Sequence, residues 1–141
     1  LLLSWMLPAC SPPHTSVRPE AGIDVTRVGA ARYEPPTDGR RDDDSLRQAC
    51  TDWKLDQAQV ARFFALSREY TEQDAPQRYA QFYDLPCTIE GQLQEEGRNW
   101  MFRINAAATA TWESGDKTRS WGCSVDGCAS LVLMMPDDQA P

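Results

Sequence analysis

The apolar positions of this chain change period at Cys87. From there they alternate, with Cys87, Ile89, Gly91 and Leu93 on one side and Thr88, Glu90, Gln92 and Gln94 on the other. The turn Glu95-Glu96-Gly97-Arg98 leads into a run where Trp100, Phe102, Ile104 and Ala106 oppose Met101, Arg103 and Asn105. After a bend near Ala107, Ala108, Ala110 and Trp112 alternate with Thr109, Thr111 and Glu113. Ser114-Gly115-Asp116 then signals a hairpin into Lys117 to Cys123, where Arg119 and Trp121 share a face. Period-two alternation broken by glycine turns predicts antiparallel strands joined by hairpins. Leu131 to Met135, apolar throughout and stopped by Pro136, reads as a last strand.

Upstream of Cys87 the period is helical. Val60, Phe63, Phe64 and Ser67 fall on one face. Asp56 is a good N-cap, Gln59 completes a capping box, and Leu55 and Val60 flank it as a staple. A second, shorter helix starts at Asp74 and tolerates Pro76 in its first turn. It presents Tyr79, Phe82 and Tyr83 as its apolar face and stops before Pro86, which forces its neighbour out of helical geometry. The pattern predicts an α+β fold, two N-terminal helices packed on an antiparallel β-meander of four to five strands.

Residues 11 to about 45 read as a tether. They carry Pro12, Pro13, Pro19, Pro35 and Pro36 and few large apolar residues to offset ordering entropy. Ile23 to Val28 alternates and reads at most as a short strand, while the Asp42-Asp43-Asp44 run reads as solvated linker rather than a metal site.

The front of the chain changes the picture. Leu1-Leu2-Leu3-Ser4-Trp5-Met6 runs into Leu7-Pro8-Ala9-Cys10, and this resembles the lipobox of bacterial lipoproteins. A bilayer-spanning helix needs about 20 apolar residues, and proline-rich sequence already begins at Ser11. The resemblance implies that residues 1–9 are a truncated lipoprotein signal peptide and that Cys10 is lipidated. One acyl chain holds a protein weakly and several hold it stably. Ser11, where the family's inner-membrane proteins carry Asp, implies transfer to the outer membrane, on its periplasmic face. Residues 10–48 then form the lipidated cysteine and flexible tether, 49–136 the globular domain and 137–141 a tail.

The cysteine count agrees with export. Of five cysteines, lipidation of Cys10 leaves Cys50, Cys87, Cys123 and Cys128, for which three pairings exist. Cys123 and Cys128, with Gly127 to relieve the bend, make the natural short pair, leaving Cys50 with Cys87. Structural zinc favours paired ligands and histidine, but Cys50 and Cys87 stand alone and no histidine lies nearby, so disulfide staples are expected and no metal. The net charge of −7 argues against nucleic acid, which needs a surplus of Lys and Arg.

Catalytic groups are sparse. The one histidine, His14, lies in the tether, so triad or Cys-His chemistry has no base in the fold. No glycine-rich phosphate loop is present, and no cofactor is expected. Glu95 and Glu96 sit on a turn and point to opposite faces, which disfavours paired-carboxylate hydrolysis. Trp100, Trp112 and Trp121 share one sheet face; exposed, they are candidate binding residues, and covered by Val60, Phe63, Phe64 and Tyr79 they are core. The block Tyr83 to Gly91, with Trp100 to Ala108 and Gly122-Cys123 to Cys128, is similar to a group of small proteobacterial lipoproteins of unknown function. The resemblance covers roughly residues 50 to 135, implies export and disulfides, and carries no activity.

The expectation is a non-enzymatic, outer-membrane-anchored periplasmic lipoprotein with an unknown protein partner in the envelope, either an assembly factor or a toxin-neutralising inhibitor. A small-ligand or glycan binder using the tryptophan face is the alternative, and an Asp/Glu-dependent envelope hydrolase is a third reading.

Overall fold

The computed structural model describes residues 22–39 and 41–137. The signal segment, Cys10 and His14 lie outside the described residues, as does most of the tail. Among those described, the elements in chain order are strands β1 (Ile23–Val28) and β2 (Arg32–Tyr33), helices α1 (Asp44–Asp52) and α2 (Gln57–Leu66), strand β3 (Arg68–Tyr70) and helix α3 (Ala75–Gln81). Strands β4 (Cys87–Glu95), β5 (Arg98–Asn105), β6 (Thr109–Ser114) and β7 (Lys117–Gly122) follow, and a 3-10 turn covers Asp126–Leu131.

The fold is α+β. Its seven-stranded sheet has the order β1-β4-β5-β6-β7-β3, with β2 also paired to β4 and every pairing antiparallel. The meander β4 to β7 follows the alternation of the sequence. The Glu96-Gly97 turn has both residues at positive φ, 49° and 77°, and Gly115 opens the β6–β7 turn at 61°. Such two-residue turns match the twist of the strands they join.

Three expectations need correction. The stretch read as tether contains β1, β2 and the first part of α1. Ile23 and Val25 are buried because β1 adds to the β4 edge, where Val25 pairs with Leu93. The acidic run is not free linker either: Asp43 caps α1 by accepting from the Leu46 N–H at 3.1 Å, and Asp42 accepts from the Tyr33 hydroxyl at 2.6 Å. Second, α1 makes three α-helices among the described residues rather than two. Third, Leu131 to Met135 forms no strand. Leu131 closes the 3-10 turn, and the Leu133 and Met134 N–H groups both donate to the Ala106 carbonyl. Cys123–Cys128 draws the chain into a turn before this stretch, so Leu131 and Val132 are buried without joining the sheet while Leu133 and Met134 stay exposed.

One sheet face is the core. Ile89, Leu93, Trp100, Phe102, Ile104 and Trp112 are buried there, and α2 lies across them. Its start is the capping box read from the sequence: Asp56 accepts from the Gln59 N–H at 2.7 Å, and the Asp56 N–H donates back to the Gln59 side chain at 2.9 Å. Phe64 meets Phe102, Trp112 and Trp121 edge-on at 5.2 to 6.0 Å. Burying each such ring contributes about 1.5–3 kcal/mol. The Cys50–Cys87 disulfide ties α1 to the start of β4.

Candidate functional site

The opposite sheet face carries the other half of the alternation, and there the polar side chains are only partly covered. Thr88 pairs with Asn105 across β4 and β5, Arg103 with Thr111 across β5 and β6, and Thr109 with Gly122 across β6 and β7. Helix α3 and the segment after it wall this face on one side, and residues 34–38 wall it on the other. Between them runs a groove of about 850 Å³, within the usual range for a ligand site of ~300–1,000 Å³.

Two residues set the walls. Asn105 spends its whole side-chain amide on them: Nδ2 donates to the Leu85 carbonyl and to Asp84 Oδ1, both at 2.8 Å, and Oδ1 accepts from the Leu85 N–H at 3.2 Å and the Ala107 N–H at 2.9 Å. Two donors and two lone pairs are the full capacity of an asparagine. Arg103 holds the other wall through Glu34 at 2.7 Å, with Glu90 behind it at 3.7 Å.

Arg78 is the odd member. From α3 its Nε donates to the Trp121 carbonyl at 3.3 Å and its Nη2 to the Ala110 carbonyl at 3.4 Å. These neutral acceptors occupy two of five N–H donors, and among the described residues no carboxylate lies within 4 Å of the guanidinium. Its charge is therefore unmatched where it lines the groove. Thr88 is the second unspent group. It is 5% exposed, lines the groove, and its hydroxyl has no hydrogen-bond partner.

The rim is aromatic. Tyr79, expected in the core, is 77% exposed, because α3 turns that side toward solvent and sends Phe82 inward against Tyr70, ring to ring at 6.0 Å. Tyr83 also stands out from the surface, and its hydrogen bond to Asp137 raises the phenol above its usual range.

The tryptophans of the core face tell the opposite story. Trp112 is 1% exposed, Trp100 is buried and Trp121 half-buried. Their rings pack in a row, Trp100 to Trp112 at 5.7 Å and Trp112 to Trp121 at 4.7 Å. Arg119 closes that row, 4.9 Å from the Trp112 and Trp121 centroids. The three indole N–H groups are buried without an acceptor, so the rings serve as apolar bulk and as a cation platform. Covered this way, Trp100, Trp112 and Trp121 offer no stacking face to a sugar, and the binding role considered for them is corrected to a core role.

Glu95 is held by Arg119 at 2.7 Å, and Glu96 occupies the exposed hairpin turn. Among the described residues no group of three or more His, Cys, Asp or Glu is placed to hold a metal ion. Cys50 pairs with Cys87 and Cys123 with Cys128. Sequence reasoning passed over the groove residues Arg78, Thr88, Thr109 and Thr111. The signal available was the polar half of the strand alternation, which marks the face but not what covers it. No protein-family model, curated protein or solved structure matches the chain.

Proposed function

We propose that the protein is an outer-membrane-anchored periplasmic lipoprotein, lipidated at Cys10, whose α+β domain is a non-enzymatic binding module with its ligand site in the groove. The groove is the observation that carries this reading. It is large enough for a ligand, has exposed aromatic side chains at its rim, and holds a cation and a buried hydroxyl that the fold leaves unspent. Folds ordinarily satisfy buried polar groups internally. Export is supported by the paired cysteines, since disulfides persist in oxidising compartments.

Two measurements test it. Mass spectrometry of the protein from its native membrane is expected to find Cys10 acylated at the mature amino terminus. A photo-crosslinker replacing Tyr79 in the full chain is expected to trap an envelope component that the same probe replacing exposed Lys54 does not. Equal trapping from both positions, or none from either, removes the groove as the site.

A further inference from the structure

Resting on the groove as the ligand site, we propose that it recognises the carboxyl terminus of a short extended peptide, with Arg78 receiving the terminal carboxylate and Thr88 bonding further along the chain. Arg78 retains three N–H donors and an unmatched charge, the arrangement that favours a carboxylate through charge-assisted hydrogen bonds. The same lining contains Glu34, Asp38 and Asp84. Glu34 is matched by Arg103, and Asp84 adds a negative charge beside Asn105, so Arg78 is left as the cation for a single negative group rather than for a nucleotide or polyphosphate. Hydroxyls on the floor and carboxylates in the walls likewise disfavour an acyl chain.

The spacing fits a peptide of about three residues. Arg78 sits over the β6–β7 ladder and Thr88 lies on β4. Neighbouring strands are ~4.8 Å apart, so crossing from β6 to β4 covers ~10 Å, the length of about three extended residues. Thr109 and Thr111 on β6 supply hydroxyls to main-chain groups at the Arg78 end, Arg103 and Asn105 of β5 lie between β6 and Thr88, and Tyr79 offers a ring to a side chain.

The test is a titration of the ¹⁵N-labelled full chain with both disulfides intact. Three probes are compared at constant ionic strength: acetyl-trialanine with a free carboxylate, its carboxamide, and sodium acetate. The expected result is saturable shifts at Thr88, Thr109, Ala110 and Thr111 with the acid, and binding roughly tenfold weaker with the carboxamide. Arg78→Gln is expected to weaken the acid to the level of the carboxamide. Thr88→Val, which keeps shape and removes only the hydroxyl, is expected to weaken both peptides several-fold with the spectrum otherwise unchanged; it decides the matter if Arg78→Gln loses α3. Equal binding of acid and carboxamide overturns the assignment of Arg78, and acetate binding as well as the peptide overturns the peptide. If these fail while Tyr79 still traps its partner, the groove stands and the carboxylate assignment falls.

Discussion

Arg119 clasps Glu69 with both arms of its guanidinium, Nε to Oε1 at 2.8 Å and Nη2 to Oε2 at 2.9 Å, and so fastens β7 to the three-residue edge strand β3. The hydrogen bonds from Arg119 hold the Glu69 carboxyl below its ordinary range, and the pair raises the guanidinium in turn. Nη1 reaches on to Glu95 at 2.7 Å. One side chain thus joins the far edge of the sheet to the end of β4 while lying on the tryptophan row.

Arg119→Met keeps an apolar stem against the indoles but strands both carboxylates. The site is partly open to solvent, so the expected cost at pH 7 is modest, about 1–2 kcal/mol. A carboxyl depressed in the folded state stabilises above its unfolded value and loses that contribution as pH falls through its folded value. The gap between wild type and Arg119→Met should therefore be level near neutral pH and narrow below the ordinary value of 4.5. Urea midpoints at pH 7 and pH 3 measure it, and an undiminished gap at pH 3 contradicts the assignment.

The two disulfides should contribute unequally. Cys50–Cys87 closes a separation of 37 residues and Cys123–Cys128 one of 5. Chain entropy alone assigns about 4 kcal/mol to the first and about 2 to the second. Replacing each pair by alanine and comparing unfolding free energies in urea should reproduce that order. A larger loss at the short ring would mean that its role is to shape the 126–131 turn.

Gly91 has no room for a methyl group. A Cβ there would press on the Arg27 carbonyl oxygen and on the Phe102 ring. The backbone oxygen belongs to β1 just past its register shift between Val25 and Arg27, so it cannot swing aside as a flexible side chain would. Gly91→Ala is expected to cost about 3 kcal/mol or more, at the upper end of overpacking effects, and to release β1 from the sheet. Hydrogen exchange of the β1 amides would show that release; unchanged protection would refute it.

Asn105→Ala removes four hydrogen bonds at once and leaves the Leu85 and Ala107 N–H groups without their acceptor. At about 1 kcal/mol each, the expected loss before relaxation is roughly 4 kcal/mol. Asn105→Asp is more diagnostic, because it sets a second carboxylate beside Asp84. That variant should be destabilised at pH 7 and regain stability as the pH is lowered toward 4, where one of the two is protonated. A pH-independent deficit would show that the lost donors matter more than the charge.

Local patterns settled much of this molecule. The alternation from Cys87 to Trp121 sorted the side chains onto two faces, because a strand's side chains alternate by geometry, while which face the helices cover stayed open. The Asp56 and Gln59 pair marked the start of α2, because a cap satisfies backbone groups within four residues of itself. The pairing of Cys123 with Cys128 followed from chain length. Each of these depends on neighbours in sequence.

Long-range pairing decided the rest. Ile23–Val28 is a strand only because the β4 edge, some 70 positions away, receives it; by itself it has too little apolar area to stay ordered. Tyr79 and Tyr83 look like helix core until α3 settles against β7 through Arg78 and Phe82, which turns both tyrosines outward. The groove exists because α3 and residues 34–38 cover a polar sheet face from two sides. No local pattern encodes that, since it arises from where separate elements come to rest.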